Sequence, residues 1–162
     1  MAWYTLDMRA LYFIPLLLLV ILALKEESEP HKIRRAFIEA AQDADAHVCE
    51  SNPNLILKIE AQKQAELQAK LDVQGHQRWS KRYKYLQHKL GNEFTFSEIC
   101  AETWKRQADC TPLEIATEFF HCWKQSPGHW KTAKAAHHYY GCGMAQGKSG
   151  VWYGCIIVAD KK

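Results

Sequence analysis

The first pattern along the chain is an uninterrupted apolar run near its N-terminus. Residues 10–24 are fifteen residues without a charge, placed between Arg9 and Lys25. A helix through this run would carry leucine and isoleucine on every side, so it lacks the polar face of a surface helix. The run is shorter than the ~20 residues of a full membrane span, and no small-residue cleavage site follows it. We therefore predict that residues 1–30 form an uncleaved membrane anchor or an export signal.

Beyond residue 30, apolar positions recur at helical spacing in three segments. Steps of three and four residues predict one helix over 31–49, and a stripe of alanines predicts a second over 56–74. A third helix starts at Thr111, where a capping box is followed by proline at the first helical position. The Ser-Pro-Gly turn at residues 126–128 ends this third helix.

Two other regions have the patterns of β-strands. Alternating apolar residues favour a strand over 94–104, and the C-terminal part is typical of a hairpin that turns at Lys148-Ser149. With that turn, Cys142 lies directly opposite Cys155, within reach of a disulfide bond.

Both faces of the C-terminal hairpin are apolar, and this fact sets the expected fold class. A sheet with two apolar faces needs helices on both sides. The sequence thus predicts an α+β domain over residues 31–162, built as a three-layer α-β-α sandwich with a small antiparallel sheet. The N-terminal hydrophobic helix precedes this domain.

Composition and charge exclude several classes of protein. The chain is 48% apolar and 24% charged with only 8 glycines and 5 prolines, which is the composition of a globular domain. Its net charge of +3 is too small for a dedicated nucleic-acid binder, so we expect no nucleic-acid partner. Residues 78–89 interleave bases with aromatics and could bind phosphates or anionic lipid. A surface segment with its aromatic rings turned inward is the simpler interpretation.

The six cysteines favour disulfide bonds in a chain that is expected to be exported. Zinc on cysteines is the competing interpretation, but no Cys-x-x-Cys pair is present. Besides Cys142–Cys155, the pairing of the other four stays open, because four cysteines allow three connectivities. These four are Cys49, Cys100, Cys110 and Cys122.

Short segments, in order and spacing, resemble the CAP superfamily of cysteine-rich secretory, antigen and pathogenesis-related proteins, whose shared unit is the SCP domain. The likeness is strongest to its compact bacterial exported members and covers about residues 31–158 of this sequence. The segments that carry it are Leu55-Ile56-Leu57, Gly75-His76-Gln77, Ser97-Glu98-Ile99, the run from Trp123 to His129, and Gly141-Cys142-Gly143 with Cys155.

The resemblance implies a cleft of two histidines and two glutamates, of which His76, Glu98 and His129 are present here. The place of the second glutamate is occupied by Ser126. Two imidazoles and one carboxylate are a familiar ligand set for zinc or another divalent metal with an open fourth position. The same side chains could instead bind a ligand directly.

Three functions are therefore considered. The leading hypothesis is a membrane-anchored or secreted CAP-like domain that binds an extracytoplasmic ligand, a lipid, peptide or protein partner, through the His/Glu cleft. The second is a metal-dependent hydrolase or peptidase that uses His76, His129 and Glu98. The third is a structural envelope protein with a vestigial cleft. Binding is favoured over catalysis, since the sequence has no Gly-x-Ser-x-Gly nucleophile elbow.

Overall fold

The computed structural model describes residues 28–103 and 110–162, and Lys32–Lys162 forms one compact unit. The predicted N-terminal anchor lies almost entirely outside the described residues. Among the helices that are described, none combines the length and apolar character that crossing a membrane requires.

The elements are α1 Glu29–Asp43, a 3₁₀ turn Val48–Glu50, β1 Asn52–Pro53, α2 Leu55–Leu71, α3 Trp79–Leu90, β2 Phe94–Glu102, α4 Pro112–Lys124, α5 Pro127–Lys134, β3 Tyr139–Gln146 and β4 Trp152–Lys161.

A four-stranded sheet in the order β1-β3-β4-β2 forms the centre of the unit. Strand β4 pairs antiparallel with both β3 and β2. The sheet is not wholly antiparallel as predicted, because the two-residue strand β1 lies parallel to β3, with Asn52 opposite Tyr139. The mixture of helices with a small, mostly antiparallel sheet confirms the predicted α+β class.

Hydrophobic clusters lie on both faces of the sheet, because successive side chains of a strand point to opposite sides. On β4, Ile156 and Val158 belong to one cluster and Cys155 and Ile157 to the other. The first cluster also contains residues of α1, α4 and α5, and its centre is aromatic, with the rings of Phe120 and Trp123 only 5.0 Å apart. The second contains Leu57, Ala61, Ala65 and Leu86 from α2 and α3.

Helix α2 packs unusually close to strand β3, and two glycines allow it. A Cβ atom at Gly141 would lie 2.1 Å from the backbone nitrogen of Lys58, and one at Gly143 would lie 2.5 Å from the Cα of Gln62. The Gln62 side chain also joins the sheet, since its Nε2 donates to the carbonyl of Met144 at 3.1 Å and its Oε1 accepts from that residue's amide at 3.2 Å. The α2 alanines contribute small side chains on the opposing surface.

The predicted start of the third helix is confirmed. The Thr111 hydroxyl accepts from the Glu114 amide at 3.3 Å, and the Glu114 carboxylate accepts from the Thr111 amide at 2.8 Å. Helix α4 ends before the Ser-Pro-Gly turn, but a further helix, α5, begins at Pro127 within it. The sequence pattern does not predict α5, because proline and glycine are read as a break although proline also suits a first helical turn.

The predicted register of the C-terminal hairpin is wrong by one residue. Five residues, 147–151, connect β3 to β4, so the turn is not a two-residue turn at Lys148-Ser149. As a result Cys142 lies opposite Ile156, and Cys155 lies opposite Gly143. Cys142 and Cys155 point to opposite faces of the sheet and belong to different hydrophobic clusters. The predicted Cys142–Cys155 disulfide is therefore wrong, and both residues are thiols.

Substitution of Gly141 by alanine tests the close packing of α2 on β3. The added Cβ would overlap the backbone of Lys58, so we expect Gly141→Ala to lower the free energy of unfolding by about 2–3 kcal/mol. Gly128→Ala is the matched control, since a Cβ there meets no atom within 4 Å. Urea unfolding of both variants measures the effect, and equal midpoints would contradict the packing described.

Candidate functional site

The three histidine and glutamate residues predicted to share a cleft lie together at the outer side of β2, the last strand of the sheet. Glu98 lies on β2, His76 lies in the loop between α2 and α3, and His129 lies in the first turn of α5. The ring centres of His76 and His129 are 5.9 Å apart. The two helical layers thus meet at this edge and each contributes one histidine.

The loop that carries His76 is held by two buried glutamines of α2. Gln64 Nε2 donates to the Gly75 carbonyl at 2.6 Å, and the Gly75 amide donates to Gln68 Oε1 at 3.0 Å. Gly75 has a φ of +150°, which residues with side chains rarely adopt. The Gly-His pair is therefore a structural unit in which the glycine backbone fixes the position of the imidazole.

Strand β2 presents Glu98 and Cys100 on the same face, because they are two residues apart. Since β2 is an edge strand, one side of its backbone has no neighbouring strand among the described residues. Side chains take that role at Cys100, whose carbonyl accepts from Gln74 Nε2 at 3.1 Å and from Trp123 Nε1 at 3.0 Å. Gln74 lies in the loop between α2 and α3 and Trp123 lies on α4, so this edge is in contact with both sides of the sheet.

Glu98 is a buried carboxylate whose two oxygens both have partners. Its Oε1 lies 3.0 Å from His76 Nδ1, and its Oε2 accepts from Arg82 Nε at 2.8 Å and lies 2.6 Å from Arg82 Nη2. The side chains of Glu98 and Arg82 are 1% and 7% exposed, so the pair is removed from water. Arg82 also donates to the carbonyl of Gln77 at 3.2 Å, which ties α3 to the loop.

The environment of the two histidines moves their pKa values in opposite directions. A hydrogen bond with the Cys100 thiol, followed by the one with Glu98, raises the pKa of His76 to about 10. Burial, followed by the charge of His76, lowers the pKa of His129. At neutral pH the cleft therefore contains one imidazolium and one neutral imidazole.

The spacing of three donor groups would suit a divalent metal, but their bonding does not. A nitrogen of His76, an oxygen of Glu98 and the sulfur of Cys100 lie within 4.8 Å of one another. The Nδ1 atom of His76 already faces Glu98 Oε1 at 3.0 Å. Moreover, the guanidinium of Arg82 occupies the second oxygen of Glu98. The site as arranged thus favours hydrogen bonding over metal coordination.

A small open pocket lies beside this network, and only part of its surroundings is predictable from the sequence. The resemblance to CAP proteins names His129 but not Cys100, although the two-residue spacing from Glu98 places the Cys100 side chain on the same face of the strand. Arg82 gave no separate signal, since it stands among other basic residues of α3. The pocket is lined by Gln74, Cys100, Ala101, Glu102, Cys122, Trp123 and His129.

Comparison with known proteins gives a structural likeness alone. No family model matches the chain, and no curated protein sequence matches it. Among solved structures, the chain is similar to an outer surface protein from Borrelia burgdorferi, with a TM-score of 0.60 and 13% sequence identity. The match covers 84% of this chain and 97% of that one. At this identity the two proteins share a fold.

Removal of Arg82 tests its role as the counter-charge of Glu98. We expect Arg82→Met to lower the free energy of unfolding by about 3 kcal/mol, because a buried carboxylate loses its cationic partner. The double variant Arg82→Met/Glu98→Leu should regain part of this loss, since no charge then remains buried. Lys81→Met, an exposed cation on the same helix, is the control. Urea unfolding that is equal for the Arg82 and Lys81 variants would contradict the assignment.

A pH titration followed by NMR tests the opposite pKa shifts. We expect His76 to stay protonated through pH 8 and His129 to titrate below its ordinary value of 6.5. Because the pKa of His76 is higher in the folded state, its contribution to stability is complete below pH 6.5 and is lost as the pH rises towards about 10. Cys100→Ser should lower the midpoint of His76, since that thiol is its main partner. A His76 midpoint near 6.5 in the unmodified protein would disagree with this account.

Proposed function

We propose that this chain is an extracytoplasmic CAP-like binding domain, whose cleft binds an anionic group of a lipid or peptide ligand between His76 and His129. The observation that carries the proposal is the bonding of Glu98. Both of its oxygens are occupied within the protein, by His76 and by Arg82. The groups that remain for a ligand are therefore the two imidazole rings.

The exposure and charge of His76 support an anionic ligand. Its side chain is 43% exposed while its Nδ1 atom faces Glu98, so part of the ring is open to the cleft. The raised pKa keeps it positively charged at neutral pH. A charged imidazole forms strong hydrogen bonds with carboxylates and phosphates, and the neutral ring of His129 adds a second polar contact.

Two observations favour an extracytoplasmic location. The structural neighbour with the same fold is an outer surface protein. Independently, residues 10–24 form an uncharged apolar run of the kind that directs or anchors exported proteins. A surface or secreted location also agrees with the CAP-like segments of the sequence.

The metal-dependent hydrolase is the weaker alternative. It needs His76 and Glu98 as free ligands, whereas each is engaged by a partner of its own. A vestigial cleft is also disfavoured. The buried network holds the His76 ring where 43% of the side chain is exposed, and a purely structural role would not require an exposed ring.

Binding of soluble anionic probes tests the proposal. With histidine-labelled full chain, dihexanoyl phosphatidylglycerol or a short peptide with a free carboxyl terminus should shift the ring resonances of His76 and His129, and dihexanoylglycerol, which has no phosphate, should not. We expect His76→Ala and His129→Ala each to weaken binding about tenfold, which is ~1.4 kcal/mol.

The exposed His88 on α3 supplies the matched control, because His88→Ala removes an imidazole outside the cleft. Equal affinities of the His76 and His88 variants would contradict binding in the cleft. One equivalent of zinc in the purified protein, lost in the His76→Ala/His129→Ala double variant, would instead favour the hydrolase.

A further inference from the structure

Two cysteines, one on the edge strand and one on a central strand, lie directly opposite each other in the sheet. Cys100 on β2 is aligned with Cys155 on β4. Both belong to the hydrophobic cluster beneath α2 and α3, so their side chains share one face.

The backbone pattern identifies the kind of pair they form. The carbonyl of Cys100 accepts from side chains at the outer edge of β2, so this residue's polar groups point away from β4. Hydrogen bonds between the two strands occur at positions an odd number of residues from Cys100. The Thr103 amide donates to the Trp152 carbonyl, and the Lys162 amide donates to the Glu93 carbonyl. Bonded and non-bonded positions alternate along an antiparallel pair. Cys100 and Cys155 are therefore a non-hydrogen-bonded pair.

Such a pair has the geometry that a disulfide requires. Opposed Cα atoms at non-hydrogen-bonded positions are ~4.5 Å apart, and disulfides span ~4.4–6.8 Å between Cα atoms. The bond can thus form between neighbouring strands without a change of register. By contrast, Cys142 lies on the other face of the sheet and cannot compete for Cys155.

Of the two thiols, Cys100 is the nearer to the edge of the sheet. Both residues are buried, at 1% and 0% exposure, but Cys100 lies on the edge strand and lines the pocket beside His129, whereas Cys155 lies on the central strand behind it. A small reagent that enters where this edge opens therefore meets Cys100 before it meets Cys155.

We propose that Cys100 and Cys155 form a thiol–disulfide exchange site, in which Cys100 reacts with a small disulfide and Cys155 closes the cross-strand bond. In the first step the Cys100 thiolate attacks one sulfur of the small disulfide. The sulfur–sulfur bond of the reagent breaks, one thiol is released with the proton that Cys100 gave up, and a mixed disulfide remains.

In the second step the Cys155 sulfur, as it loses its proton, attacks the sulfur of Cys100 and releases the second thiol. In total, two protein thiols are oxidised and one small disulfide is reduced to two thiols. The site goes beyond the proposed ligand-binding function, because it depends on the cysteine pair and not on any ligand of the histidines.

Peptide mapping of the full chain tests the site. Reduced protein is treated with glutathione disulfide, the remaining thiols are alkylated under denaturing conditions, and the chain is digested with trypsin without reduction. Cys100, Cys142 and Cys155 fall on separate tryptic peptides, residues 90–105, 135–148 and 149–161, and Cys110 and Cys122 share residues 107–124. We expect a single dominant link between 90–105 and 149–161.

Three variants resolve the two steps. Cys155→Ser should stop at glutathione attached to Cys100, and Cys142→Ser should leave the link unchanged. Cys100→Ser should slow modification of Cys155 at least about tenfold, because thiol reactivity depends on access. Circular dichroism checks that each variant is folded. If a variant is not folded, the peptide map of the unsubstituted protein tests whether the Cys100–Cys155 bond forms.

Several outcomes would overturn the proposal. Complete alkylation of both Cys100 and Cys155 after treatment with glutathione disulfide would show that the pair does not react. A dominant link from 90–105 to 107–124 would assign Cys100 to another partner. Stoichiometric zinc that protects both thiols from the reagent would show a metal site in place of an exchange site.

Discussion

The burial of one carboxylate, that of Glu98, constrains the arrangement of the whole cleft. A charge removed from water must be paired and hydrogen-bonded, or it is neutralised. Arg82 meets this requirement from α3 and His76 meets it from the preceding loop. The strand, the helix and the loop are consequently fixed relative to one another, and the imidazole that results is both charged and open on one side. The charge in the cleft thus follows from the need to pair the buried carboxylate of Glu98.

The edge of the sheet is the second organising feature. An edge strand exposes backbone groups that would otherwise pair with another chain. Here β2 satisfies the carbonyl of Cys100 with Gln74 from the loop between α2 and α3 and Trp123 from α4. The same three residues also line the pocket, so the contacts that cover the edge strand help to form the site. They also turn the backbone of Cys100 outward and leave its side chain facing Cys155.

Much of the fold could be predicted because its signals are local. The capping box at Thr111, the alternation along β2 and the two apolar faces of the hairpin all reflect short-range rules. The predicted hairpin register is wrong because a five-residue connection and a two-residue turn are hard to distinguish in a stretch that contains glycine at both 147 and 150. His76, Glu98 and His129 were found through the resemblance. Arg82 acts through a contact with Glu98, which lies 16 residues away, and such a contact leaves no local pattern. Cys100 could be placed on the face of Glu98 from its spacing, but its position opposite Cys155 depends on the pairing of two distant strands.

The order of the strands has a consequence for how the chain acquires its structure. Within the described part of the chain, strands β1 and β2 each pair with a strand that comes later in the sequence, β3 or β4. Helix α2 likewise packs against β3, more than 60 residues further along the chain. During synthesis on the ribosome, the first two thirds of the domain therefore lack the central strands around which they assemble. Contacts of this kind require long loops to close and slow the search for the native state. Both hydrophobic clusters contain residues of the C-terminal hairpin, so neither can form completely before that hairpin has been synthesised. Until then the apolar faces of the helices stay exposed and the growing chain is prone to aggregation.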